Sequence, residues 1–294
     1  ERKALIFKVL VIIMNIGIVG LGLIGGSIAK AIKYNTDNSV FGTDIVKSVV
    51  LKAKLLGAID KELTSDMLSE CDMLIVALYP QASVDYITQN ASLIKKGSLV
   101  IDTCGIKGAI CQKLFDTADA NGFTFIGAHP MAGLHFSGFD YSQPNMFDNA
   151  SMILVPPKNV DIALLEQLKN LFSKIGFTVI KTTTAQDHDK KIAYTSQLAH
   201  VVSNAYVKSP EAEVHSGFSA GSYQDLTRVA KLNPAMWTEL FLCNKENLAA
   251  EIDGLIENLK KYSEAIKTSD EKTLYELLKE GSDRKEKIDG VKHK

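Results

Sequence analysis

Two of the chain's six histidines, His129 and His135, stand six residues apart in the stretch GAHPMAGLHFSGF, among small and apolar residues. A histidine so placed can accept a proton near neutral pH, ligate a metal or cap a loop. The H-x5-H spacing suits no standard zinc site, and the cysteines at 71, 104, 111 and 243 form no C-x-x-C pair, so no metal is expected. Gln197 and His200, in TSQLAH, lie three apart and so share one face of a helix. By composition alone, Arg228 in DLTRVAK reads as a helix-surface residue.

A different chemistry is written near the start. IGIVGLGLIGGSIAKAI places Gly20, Gly22 and Gly25 in G-x-G-x-x-G spacing, after an apolar run and at the opening of a helix. That context suits a dinucleotide phosphate loop. Gly20 permits the tight turn, Gly22 lets the backbone approach a pyrophosphate, and Gly25 lets the helix pack on the strand. Asp44 ends the second apolar run, 19 residues after Gly25. A carboxylate there accepts from ribose hydroxyls and repels a 2′-phosphate, and no arginine follows in TDIVKS, which favours NAD over NADP. The plainer alternative for Asp44 is an exposed turn aspartate.

These residues need elements to position them. NIGIVG (15–20), SVFGTD (39–44), MLIVAL (73–78), SLVIDT (98–103) and FTFIGA (123–128) alternate with helical patterns near 24–33, 46–56, 82–94 and 108–121. SMILVP (151–156), a helix near 160–174 and FTVIKT (177–182) extend the series. Apolar strands alternating with helices predict a parallel, doubly wound α/β sheet. Such sheets bind ligands beyond the carboxyl ends of their strands. DTCGIKG (102–108) and HPMAG (129–133) come after the fourth and fifth strands and are expected to face that site.

Strand signals stop after about Thr183, and 185–208 reads as one long helix. In 244–267, Leu248, Ile252, Leu255, Leu259, Tyr262 and Ile266 alternate by four and three, a seam for another helix of the same chain or of a second copy. The last ten residues are charged and expected to fray. The fold expected is a Rossmann-type doubly wound sheet domain over 14–182 and an all-α helical dimerisation domain over 183–294.

Composition sets the bounds. With 46% hydrophobic and 23% charged residues, the chain has material for a core. A net charge of −1 provides no basic field for nucleic acid. Dispersed cysteines suggest a reducing cytoplasm. ERKALIFKVLVII is broken by Lys8 and far shorter than the roughly 20 residues that span a bilayer; residues 1–13 read as an upstream extension.

Five motifs in order, VGLGLIGGS, DTCGIKG, GAHPMAG, AYTSQLAH and YQDLTRVAKLNPAMW, give the chain a further likeness. It resembles the prephenate/arogenate dehydrogenases of tyrosine biosynthesis from Met14 to at least Trp237. The resemblance implies that hydride leaves the hydroxyl-bearing ring carbon of the substrate for NAD, the ring carboxylate departs as CO₂, and the ring becomes aromatic. It makes His129 the catalytic acceptor of the hydroxyl proton, where the residues alone also allow a loop-capping histidine. It makes Arg228 the binder of a substrate carboxylate, with only Arg2 and Arg284 as other arginines. Gln197, His200, His135 and Trp237 are placed around the substrate. Gly20, Gly22, Leu23, Ile24, Gly25, Asp44, Leu78 and Gly105 are placed around NAD.

Two positions depart from the family pattern. A serine that helps hold the substrate hydroxyl is replaced by Gly105, leaving Thr103, Cys104, a backbone N–H or water to compensate. A glutamate is replaced by His135. HPMAGLHFSGF then offers no carboxylate before Asp140 to an ammonium, which favours prephenate over arogenate. No C-terminal regulatory domain and no fused chorismate mutase are expected. A β-hydroxy-acid dehydrogenase and a non-catalytic NAD sensor are the rival readings.

Overall fold

The computed structural model describes residues 13–134, 136–214 and 217–291. Residues 1–12 of the expected extension, and His135, lie outside the described residues. Eight strands form one sheet: β1 (Asn15–Val19), β2 (Ser39–Thr43), β3 (Lys61–Glu62), β4 (Met73–Val76), β5 (Leu99–Asp102), β6 (Thr124–Pro130), β7 (Ser151–Val155) and β8 (Val179–Thr182). Their order is β3-β2-β1-β4-β5-β6-β7-β8. The chain leaves β1 for β2 and β3 on one side, then crosses to β4 on the other. That reversal opens a crevice beyond the carboxyl ends of β1 and β4.

Helices α1 (Leu23–Asn35), α2 (Lys47–Leu55), α3 (Pro80–Asn90), α4 (Gly108–Asn121) and α5 (Ile162–Lys174) connect the strands. Two apolar layers cover the sheet, one built on Ile16, Ile18, Ile28, Ile75 and Phe172, the other on Leu74, Val76, Val100, Leu114 and Phe125. With both faces covered, β4 and β5 are buried along their whole length, which is why each reads as an unbroken apolar run.

The all-parallel expectation fails at one step: β7 runs antiparallel to β6. A parallel neighbour needs a crossover, usually a helix. Among the described residues of 131–150 the short 3₁₀ turn Phe139–Tyr141 is the only helix, and the chain re-enters the sheet at the end it left, with Pro130 opposite Met152. The described part of this connection therefore lies at that end of the sheet. It packs on α1, where Lys30 Nζ donates to the Ser142 carbonyl (2.8 Å) and the Gln143 N–H donates to Ser27 Oγ (3.0 Å). His129 and Pro130 belong to β6 itself rather than to a loop after it. The short edge strand β3, charged at both residues, gave no apolar signal.

Helices make up the rest: α6 (Ala185–Ile192), α7 (Ala199–Tyr206), α8 (Gly221–Thr227), α9 (Pro234–Cys243), α10 (Lys245–Lys267) and α11 (Glu271–Val291). The long helix expected over 185–208 ends at Tyr206 and contains a π segment, Ala193–Leu198. A π turn takes up an extra residue per hydrogen bond and shifts the register of the residues after it. Here Gln197 and Leu198 are turned inward. On α10, Leu248 is buried and Tyr262 donates to the Leu277 carbonyl of α11 (3.1 Å), while Leu259 (57%) and Ile266 (62%) are exposed among the described residues. The terminal segment expected to fray is helical to Val291, where Lys285 pairs with Asp289 one turn on (2.5 Å).

Candidate active site

The phosphate loop is built as its glycines require. Gly20 has φ +87°, and a Cβ there would stand 2.5 Å from the Ala77 carbonyl oxygen and 2.8 Å from Leu78 Cδ2. Only glycine turns the chain at that point. A Cβ at Gly25 would overlap the Gly20 carbonyl oxygen, whereas one at Gly22 would meet nothing within 4 Å. Gly22 is the N-cap of α1 and no side chain caps the helix, so the first-turn N–H groups beginning at Leu23 and Ile24 are open to an anion. Asp44 is fixed against this loop: its carboxylate accepts from the Leu21 N–H (2.8 Å) and the Val46 N–H (2.9 Å). Lone pairs remain on both oxygens for ribose hydroxyls. The open cradle, the uncapped helix and the fixed acid together fit a dinucleotide.

His129 projects from the carboxyl end of β6. The position a Cβ would take on Gly105, beyond β5, lies 3.8 Å from His129 Nε2 and 3.7 Å from Leu240 Cδ2 on α9. The three residues border one small space between the sheet and the helical domain. On the other side of the ring, His129 Nδ1 lies 3.0 Å from His188 Nε2 on α6. His188 Nδ1 lies 2.7 Å from Asp189 Oδ1. Burial pushes the pKa of His129 well below 6.5, and His188 and Lys107 push it the same way. His129 is thus neutral at physiological pH, the form that accepts a proton.

Asp189 does more than meet His188. Its Oδ1 accepts from the Lys107 N–H (2.8 Å) and its Oδ2 from the Gly108 N–H (2.6 Å), so it caps α4 from the helical domain. Glu239 on α9 does the same for α3, accepting from the Gln81 N–H (2.7 Å). Beneath them lies a fully buried ion pair, Lys107 with Asp102. Asp102 also accepts from the Cys104 N–H (2.8 Å) and the Ala128 N–H (3.1 Å), which ties β5 to β6. Burial by itself lowers the Lys107 pKa, but the charge and hydrogen bond of Asp102, with Cys104 and Cys111, outweigh it and raise it.

The other expected substrate residues are scattered in role. His200 on α7 holds the Ser196 carbonyl through Nδ1 (2.8 Å) and lies over Trp237 on α9, ring centres 4.1 Å apart. Arg228 follows α8, is exposed, and makes no hydrogen bond or ion pair among the described residues. Gln197 is buried, its Nε2 donates to the Leu240 carbonyl (3.0 Å) and its Oε1 accepts from Asn244 Nδ2 (2.7 Å). Its amide is engaged in joining helices. Cys104 is likewise engaged, with its thiol 3.4 Å from the Leu78 carbonyl and burial raising its pKa. That leaves Thr103, a backbone N–H or water to stand in for a hydroxyl at Gly105.

Sequence reasoning missed His188, Asp189, Asp102 and Lys107. A signal existed for the first two. His188, Asp189, Ile192 and Ala193 fall at the i, i+1, i+4, i+5 positions of one helical stripe, and all four are buried. Among the described residues no group of three or more His, Cys, Asp or Glu could hold a metal, and no helix is long and apolar enough to cross a membrane.

Comparison with known proteins adds the lineage. Residues 28–181 match the prephenate dehydrogenase nucleotide-binding domain, and residues 184–280 match the prephenate dehydrogenase dimerization domain. The chain is 32% identical to the prephenate dehydrogenase of Bacillus subtilis, over 90% of this chain and 73% of that one. It is 30% identical to the cyclohexadienyl dehydrogenase of Zymomonas mobilis, over 90% of this chain and 93% of that one. The crystal structure of prephenate dehydrogenase from Aquifex aeolicus, solved with hydroxyphenyl propionate and NAD+, superposes with a TM-score of 0.83 at 28% identity, covering 94% of this chain and 99% of that one. A phosphate loop at the switch point, a neutral histidine at the carboxyl end of the sheet and matches along both domains agree: the chain is an NAD-dependent oxidoreductase and belongs to the prephenate dehydrogenase family.

Proposed function

We propose that the protein converts prephenate to 4-hydroxyphenylpyruvate by oxidative decarboxylation, in the cytoplasm and as a homodimer joined through its helical domain, with the domain division at about residue 182. Gly20, Gly22, Leu23, Ile24, Gly25, Asp44, Leu78 and Gly105 hold the cofactor. NAD+ bound there supplies the hydride acceptor. His129 Nε2 accepts the proton of the substrate hydroxyl as the C–H bond gives up its hydride. The ring carboxylate leaves as CO₂, its bonding pair completes the aromatic ring, and the proton held by His129 returns to the phenolate oxygen. Aromatisation drives the reaction, so orientation and one well-placed acceptor are the main tasks left to the protein. Arg228 binds a substrate carboxylate, a role its unengaged guanidinium supports. His200 and Trp237 border the substrate.

The observation that carries this reading is the neutral His129, with Nε2 toward the space at Gly105 and Leu240. Preference for prephenate over arogenate rests on the sequence 129–139, which holds no carboxylate for an ammonium. The first one after His129 is Asp140, and it pairs with Lys52 (2.5 Å). The uncovered Leu259 and Ile266 support the dimer. Incubation with NAD+ and each substrate in turn tests the reading. NADH with 4-hydroxyphenylpyruvate is expected from prephenate. NADH formation from arogenate alone refutes the substrate assignment, and NAD binding without turnover of either refutes the catalytic one.

A further inference from the structure

We propose that His188 is a positioning residue: from the helical domain it dictates which nitrogen of His129 carries hydrogen, leaving Nε2 free to take the substrate proton. The inference rests on the catalytic role given to His129.

The chain of contacts behind His129 is fixed at its far end. Both oxygens of Asp189 receive backbone N–H groups, from Lys107 and Gly108, and so act as acceptors. The hydrogen in the 2.7 Å contact with His188 therefore sits on His188 Nδ1. With its one hydrogen there, a neutral His188 presents a lone pair at Nε2. That lone pair faces His129 Nδ1 at 3.0 Å, so Nδ1 must donate. One hydrogen remains on the neutral ring, and Nε2 is left bare on the side of Gly105. The opposite tautomer would set two lone pairs against each other at 3.0 Å beside buried residues, His188 being 2% and Asp189 3% exposed. It would also turn an N–H toward the substrate hydroxyl, where an acceptor is needed.

The other charged groups here are engaged elsewhere. Lys107 and Asp102 pair with each other, and Asn244 Nδ2 donates to the Asp189 carbonyl (2.9 Å), holding the turn that carries both relay residues. When His129 takes the proton, its Nδ1–H still donates to His188 Nε2. The new positive charge then faces a polarised ring backed by a carboxylate. In hydrolases that orient a histidine through a carboxylate, the wrong tautomer costs about 10⁴-fold in kcat.

The test uses the full chain with ¹⁵N-labelled histidine. Long-range ¹H–¹⁵N spectra distinguish a protonated ring nitrogen from a bare one, and His129→Asn assigns the resonance. We expect His129 to carry its hydrogen on Nδ1. His188→Leu should redistribute it toward Nε2 and lower kcat by about 10²-fold, with KM and NAD affinity changed less than about threefold. His188→Gln can offer an amide oxygen to Nδ1 and should restore much of kcat. Wild-type protein with hydrogen on Nε2 overturns the proposal, whether or not the variants fold, and so does His188→Leu with wild-type kcat. If His129→Asn itself keeps full activity, the catalytic reading fails while the tautomer result still stands or falls alone.

Discussion

A Cβ placed on Gly105 would stand 3.8 Å from His129 Nε2 and 3.7 Å from Leu240, ordinary contact distances with no overlap. A Cβ therefore fits where this chain has none, beside the proposed proton acceptor. Gly105→Ser is expected to fold with unchanged Tm and to raise kcat/KM about fivefold, the worth of roughly 1 kcal/mol from one hydrogen bond to the substrate hydroxyl. A tenfold fall instead would mean that this space is already filled by something the reaction needs. Steady-state kinetics with prephenate decides between them.

Arg228 should act on binding more than on chemistry. Arg228→Ala is expected to raise KM for prephenate about 10- to 100-fold, as expected for a charge-assisted pair, with a smaller change in kcat and in NAD affinity. Isothermal titration with NAD+ and initial rates with prephenate measure the two effects separately. An unchanged KM removes Arg228 from the site.

The neutral state of His129 has a signature in stability. Its folded pKa lies below the unfolded 6.5, mainly through burial, with His188 and Lys107 adding to the shift. The stability gained from neutrality is thus complete above pH 6.5 and declines as pH falls through that value toward the folded pKa. Below the unfolded value, the wild type should lose up to about 1.4 kcal/mol per pH unit more than His129→Gln. Urea denaturation at a series of pH values tests this; parallel curves for the two proteins contradict it.

Breaking the Lys107–Asp102 pair should be costly because Asp102 would be left charged and enclosed. Lys107→Met is expected to lose about 3–5 kcal/mol, and Lys107→Met with Asp102→Leu to lose less than that. The double variant still orphans the Cys104 and Ala128 N–H groups, so recovery should be partial. Denaturant midpoints of the three proteins measure the difference, and a double variant weaker than the single one would show that Asp102 matters more to those N–H groups than to the lysine.

The sheet was legible because its strands are buried on both faces and so appear as apolar runs from Asn15 to Asp102. The phosphate loop was legible because each glycine answers to a separate steric demand, now visible at Gly20 and Gly25. The direction of β7 was not, since the strand itself looks the same either way and only the path of 131–150 sets it. Nor was the relay behind His129. Its contacts with His129, Lys107 and Gly108 join residues 59 and more apart, and polar residues on a helix resemble a solvated face until packing shows what covers them. The π segment hid Gln197 in the same way, by turning a residue spaced for one face toward another.

The carboxylates of Asp189 and Glu239 reach across from the helical domain to the starts of α4 and α3. Each supplies a negative charge that the sheet domain's own sequence omits at those points. The two halves are consequently unequal as inherited modules. A sheet domain grafted onto a foreign helical partner would keep its nucleotide cradle yet arrive with two bare helix starts and a histidine of undecided tautomer. Recombination between relatives would thus be viable only where the incoming half carries acids at both places, so the second half of the gene constrains how the first may be exchanged.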